Sequence, residues 1–193
     1  MKKILLGFLC MWFAQTASAQ KDSLQFDENN NYVYYHVVDK PGFTADTLYN
    51  RSRAFTKAFK LLIPADKKFA PNSVDGKGKF LVYNGPSMIR KETGAISYTL
   101  FIETKEGKYR YKLSDFLYTP YVRDRFNNMV PVAGLDIPLE KLQTKYGKKE
   151  ADAILAQAGA FSISTANKIK EYMDKVSNFK KAEPVKKVAT DKW

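Results

Sequence analysis

Cysteine and histidine, the side chains on which much nucleophilic catalysis and most zinc binding depend, occur once each in the 193 residues, as Cys10 and His36. His36 lies inside YVYYHVV with no cysteine or serine elbow to pair with, so a histidine-activated nucleophile has no recognisable partner. No HExxH or paired Cys/His spacing offers zinc a site, and no calcium-loop pattern is present. No cofactor is expected. Long hydrophobic runs are missing too. The longest, Ile4 to Ala14, would make a helix of roughly 16 Å against a hydrocarbon core about 30 Å thick. Acidic residues are outnumbered, 20 against 32 basic ones, which gives a net charge of +12.

What is present begins with MKKILLGFLCMWFAQTASAQ, where Lys2 and Lys3 precede the apolar run and Ala17-Ser18-Ala19 closes it. This is the layout of a secretory signal peptide cleaved after Ala19. Cys10 follows Leu9 inside the run, which is the wrong place for lipid attachment. The expected product is exported, periplasmic or outer-envelope, and has no transmembrane segment once the leader is removed. It also has no thiol, so its stability must come from burial. Losing Lys2 and Lys3 lowers the charge from +12 to +10, an excess that points toward anionic envelope surfaces before chromosomal DNA.

Beyond the leader, residues 20–31 (QKDSLQFDENNN) read as a flexible lead-in, and YVYYHVV at 32–38 is a strand by composition. Thr44 caps a helix in which Leu48, Phe55, Phe59 and Leu62 form one stripe with Ser52 beside them. Arg53, Lys57 and Lys60 lie opposite as a solvated face. Arg51 sits near the stripe, and its stem is expected to be buried with the head reaching water. Asp75-Gly76 predicts a turn between short strands. AISYTLFIET and KYRYKLSDFLY predict a long hairpin turning at Glu106-Gly107. Ile96, Tyr98, Leu100 and Ile102 should share a face with Tyr109, Tyr111 and Leu113, leaving Lys108, Arg110, Lys112 and Ser114 on the wetter side. Residues 119–136 read as an irregular loop. Helices follow: one opened by Pro138 and stopped at Gly147, a second ending at Gly159, and a last from about Thr165 to Phe179 capped by Ser164. The predicted organisation is a leader (1–19), a lead-in (20–31), an α+β domain (32–120), a loop and helical extension packed on it (121–180) and a disordered basic tail (181–193).

Two stretches, YVYYHVVDKPGFTADTLYNRSRAFTKAF and GKYRYKLSDF, make residues 32–118 resemble an uncharacterised bacterial envelope family known as a domain of unknown function with a TATA-binding-protein-like (TBP-like) fold. The resemblance implies a curved antiparallel sheet with a helix after its first strand, followed here by C-terminal helices. It implies no activity and no catalytic residues, and a shared fold does not carry DNA binding with it. Minor-groove bending needs apolar wedges as well as basic residues, so no nucleic-acid partner is expected.

Twelve tyrosines beside a basic excess suit a surface that binds anionic or carbohydrate ligands, since the ring gives apolar contact and the hydroxyl a hydrogen bond. The candidate ligand residues are Tyr34, His36, Lys108, Arg110 and Lys112, and the expected partner is an anionic envelope component or an envelope protein. Whether the five stand together depends on strand order, which the sequence leaves open, as it does oligomeric state. The expected function is non-catalytic binding or assembly in the envelope. The alternative is a hydrolase of envelope polymers using paired carboxylates from Asp115, Asp124, Asp136 and Glu140.

Overall fold

The computed structural model describes residues 23–63, 71–84 and 90–174. The leader and the 181–193 tail lie outside the described residues, as does Phe179. The strands are β1 (Gln25–Phe26), β2 (Tyr32–Asp39), β3 (Ser73–Asn84), β4 (Lys91–Lys105), β5 (Lys108–Arg123), β6 (Met129–Pro131) and β7 (Ile137–Pro138). The helices are α1 (Ala45–Ala58), a 3-10 turn (Leu139–Lys141), the short α2 (Leu142–Lys145) and the long α3 (Lys148–Asp174). All strand pairings are antiparallel, in the order β1-β2-β5-β4-β3, with β6 and β7 also paired to β5. The class is α+β with a curved antiparallel sheet, as expected.

The β4–β5 hairpin is the spine. Its register pairs Ile102 with Tyr111 and Leu100 with Leu113, the facing companions that alternation predicts. Between Ser97 and Thr99 the register shifts, and Asp115 on β5 takes φ +55°. One extra residue in β5 moves its alternation by one position, so that Phe116 and Tyr118 join Tyr109, Tyr111 and Leu113 in the core.

The α1 helix is nucleated as expected, with Thr44 Oγ1 accepting the Thr47 N–H at 3.2 Å. Leu48 and Phe55 are fully buried, but the stripe ends there: Phe59 is the C-cap, and Leu62 lies beyond the helix, 75 % exposed and bridged to Lys77. Arg51 departs from the expectation. It is only 7 % exposed, its guanidinium lies 4.6 Å from the centre of the Phe43 ring, and its Nη1 donates to the Met173 carbonyl. A cation on the last carbonyls of a helix is favoured by the helix dipole, and here Arg51 closes the C-terminal end of α3 instead of reaching water.

Three further expectations change. Residues 23–31, read as a lead-in, hold Leu24 in the core and carry β1. Asp75-Gly76 is no turn, because β3 runs unbroken from Ser73 to Asn84. Gly76 and Gly78 are there for close approach: a Cβ on Gly76 would sit 2.8 Å from the Leu61 Cβ. The expected second and third C-terminal helices are one, α3, which passes through Gly159 and Ser164. Its buried face runs continuously through Ala151, Ile154, Leu155, Ala158, Gly159, Ser162, Ala166, Ile169 and Met173. Packing of that face on the sheet outweighs the local stop and cap signals. Both α1 and α3 lie on one side of the sheet, where Phe55 meets Tyr172 and Tyr98 meets Phe161.

Candidate functional site

Strand pairing decides what becomes of the five candidate residues. In the β2–β5 ladder Tyr34 faces Leu113, Tyr35 faces Lys112, His36 faces Tyr111, Val37 faces Arg110 and Asp39 faces Lys108. Directly paired residues project from the same face, so Tyr34 and His36 stand on the helix side while Lys108, Arg110 and Lys112 stand on the open side. The five do not form one surface. Tyr34 is buried, its ring centre 4.7 Å from His36 and 6.4 Å from Tyr111. Burial, and then the neighbouring Lys170, lowers the pKa of His36 and favours its neutral form. The hydroxyls of Tyr109 and Tyr111 are buried and have no hydrogen-bond partner among the described residues.

The open side is built from alternate residues of four strands. Rows across the sheet read Asp75, Phe101, Lys112, Tyr35, then Ser73, Glu103, Arg110, Val37, while Lys77 and Lys79 project from β3. Lys77, Lys79, Lys108, Arg110 and Lys112 are exposed, together with Tyr35 (37 %) and Val37 (54 %). Arg110 is held in place by the Tyr35 hydroxyl and by a salt bridge to Glu103. Phe101, Tyr35, Arg110 and Lys112 line a groove of about 540 Å³ that continues to Gln25 and Phe26, with Asp27 and Glu28 on its rim. The Asp27 carboxylate is committed to the turn after β1, accepting the N–H groups of Asn29 and Asn31 at 2.9 Å, and the Asn31 bond lowers its pKa.

The carboxylates considered for hydrolysis each serve the backbone or a neighbouring hydroxyl. Asp124 accepts the N–H groups of Phe126 and Asn128, both at 2.8 Å, and its pKa is lowered chiefly by the Asn128 bond. Glu140 accepts the Tyr32 N–H at 2.5 Å, Asp136 the Thr119 hydroxyl at 2.5 Å, and Asp115 lies beside the Ser114 hydroxyl. Among the described residues no group of three or more His, Cys, Asp or Glu is placed to hold a metal ion.

Tyr35, Phe101, Lys77 and Lys79 complete the open face and are not among the sequence candidates. Strand alternation already sets Tyr35 opposite Tyr34 in direction. Only the partner strand's register shows which of the two meets the basic row.

Residues 34–119 match the family described as a domain of unknown function (DUF4468) with TBP-like fold, in agreement with the resemblance over 32–118. No curated protein matches the chain. Among solved structures, a DUF4468 family protein from Bacteroides ovatus is similar with a TM-score of 0.59 at 11 % identity, over 79 % of this chain and 91 % of that one. A TBP-like protein from Parabacteroides distasonis is similar with a TM-score of 0.56 at 14 % identity, over 76 % and 95 %. At these identities the likeness is one of fold.

Proposed function

We propose that this is an exported, non-catalytic binding or assembly protein of the bacterial cell envelope, and that the open face of its sheet takes an anionic envelope component. One observation carries the reading: the face opposite the helices sets cations between aromatic and apolar side chains, with Tyr35, Phe101 and Val37 among Lys77, Lys79, Lys108, Arg110 and Lys112. Cations on a firm sheet supply charge attraction, and rings between them supply contact area at low entropic cost. The Tyr35–Arg110–Glu103 contacts pre-set the guanidinium, which reduces the ordering cost of binding. The role proposed for Lys108, Arg110 and Lys112 is kept from the sequence, with Tyr35 and Phe101 as their companions in place of Tyr34 and His36. The apolar leader supports export.

Titration with polygalacturonate, an acidic polysaccharide, tests the reading, with neutral dextran and a short DNA duplex as the other arms. Binding to the acidic polysaccharide alone, weakened about fivefold or more in Lys108→Gln/Lys112→Gln and lost progressively with salt, is the expected result. Equal affinity of parent and variant would overturn the open-face assignment, and preference for DNA would overturn the envelope partner. Mass spectrometry of the natively produced protein should place its N-terminus at Gln20.

A further inference from the structure

The stretch 119–136, which reads as an irregular loop, is ordered into a projecting hairpin. Val122 pairs with Val130 and Arg123 with Met129. Its tip is closed by the Asp124 N–H on the Asn128 carbonyl at 2.9 Å and the Asn127 N–H on the Asp124 carbonyl at 3.0 Å. The Asp124 carboxylate binds two more amides of the same turn, and Asn127 takes φ +66°. This firmly made turn needs nothing from the side chain of Phe126. Yet a phenylalanine is there, 70 % exposed, with the Arg125 guanidinium 4.9 Å from its ring centre.

The foot of the hairpin is basic and partly apolar. A groove of about 730 Å³ lies between Arg90 and Lys91 on one side and Val122, Arg123 and Met129 on the other, with Glu92 and Glu150 as its acids. A second groove shares Glu150 and Thr93 with it and reaches Lys149 in the first turn of α3, next to Lys148. Around these grooves and the hairpin tip Arg90, Lys91, Arg123, Arg125 and Lys149 therefore outnumber Glu92, Asp124 and Glu150.

We infer that this region docks on an anionic bilayer surface, with Phe126 entering the headgroup layer and the surrounding cations meeting lipid phosphates. A stable protein–protein interface takes about 800 Å² from each partner, far more than one side chain at the tip of a hairpin presents. Shallow insertion asks for an aromatic or aliphatic side chain and a handful of cations. That is the composition here, and it predicts weak, reversible attachment. The surface is separate from the open face of the sheet and does not depend on what that face binds.

The test is co-sedimentation of the purified chain from Gln20 onward with phosphatidylglycerol vesicles and, separately, with phosphatidylcholine vesicles. The parent protein should partition to the anionic vesicles. Phe126→Ser should lower the partition coefficient on the order of tenfold, and Arg123→Gln/Arg125→Gln should lower it similarly, while Arg53→Gln/Lys57→Gln, on the exposed face of α1, leaves it unchanged. A further variant, Phe126→Trp, reports the same contact without depending on the fold of Phe126→Ser. Its difference fluorescence against the parent should shift to the blue with anionic vesicles. Equal retention on both vesicle types, parent-like binding by Phe126→Ser, an unshifted Phe126→Trp spectrum, or loss of a protein partner in place of vesicle binding would each overturn the inference.

Discussion

Replacing Gly78 by alanine puts the packing of the sheet to a direct test. Gly78 lies opposite Tyr98 in the β3–β4 ladder, on the helix side. An added Cβ would lie 2.5 Å from the Tyr98 hydroxyl oxygen, 2.6 Å from its Cζ and 2.9 Å from Leu61 Cδ2, where carbon contacts settle at about 3.5–4.0 Å. Relief requires the Tyr98 ring to move by about 1 Å. That ring is nearly enclosed, with the ring centres of Phe161, Phe80 and Phe116 at 5.1, 6.2 and 6.4 Å. Phe161 is itself stacked on Phe80 at 3.9 Å, so the displacement spreads to α3. Overpacking of this kind costs about 1–3 kcal/mol, while the stiffer unfolded chain returns about 0.4–1 kcal/mol. The net is a loss of about 1–2 kcal/mol, a fall in Tm of roughly 3–6 °C for a chain of this length. Thermal unfolding followed by circular dichroism measures it, and urea unfolding should show a lower midpoint at an unchanged m-value. Adding Phe161→Leu makes room for the displaced ring, so the double variant should be more stable than the sum of the singles predicts by about 0.5 kcal/mol or more. If Gly78→Ala matched or exceeded the parent in stability, with no coupling to Phe161, the close approach of β3 to Tyr98 would be refuted.

The buried tyrosines give two further tests. The Tyr111 hydroxyl is enclosed without a partner among the described residues, a situation that costs roughly 1–3 kcal/mol. Tyr111→Phe, which keeps the ring contacts with His36 and Tyr34, should therefore raise Tm by about 2–4 °C; a fall would mean that the hydroxyl is satisfied. Burial pushes the pKa values of Tyr98 and Tyr111 up to about 12 and that of Tyr109 up as well, whereas tyrosines in the unfolded chain ionise near pH 10. The unfolded state thus loses protons first. The stability held by these neutral phenols is complete below about pH 10 and is lost as the pH rises toward about 12. Urea midpoints should be level up to about pH 9 and fall steeply by about pH 11, with the tyrosinate absorbance of these three buried rings appearing only as the fold is lost. Ionisation of all tyrosines near pH 10 in the folded protein would contradict the burial.

Local chemistry made α1 and the β4–β5 hairpin legible in the sequence. Thr44 is a cap wherever the chain places it, and Glu106-Gly107 turns because Gly107 takes φ +69°. The misreadings share a different cause. Asp75-Gly76 carries a turn signal, yet the space against Leu61 that its glycine preserves is set by a segment outside β3. Gly159 and Ser164 carry stop and cap signals, yet Gly159 belongs to the buried face of a helix held down along its whole length. Arg51 reads as amphipathic because nothing local says that the end of α3 will arrive above it. The candidate site failed to assemble for a reason of the same kind. Because His36 pairs with Tyr111, even-numbered residues of β2 share a face with odd-numbered residues of β5, and the even-numbered Lys108, Arg110 and Lys112 go with Tyr35. A slip of one residue would have gathered all five on one face. The register that prevents it buries Tyr34, Tyr109, Tyr111 and Leu113 under the helices. The core therefore selects which tyrosines can meet a ligand. A change to the open face alone, such as Lys108→Gln/Lys112→Gln, should consequently alter binding while leaving that core and its stability intact.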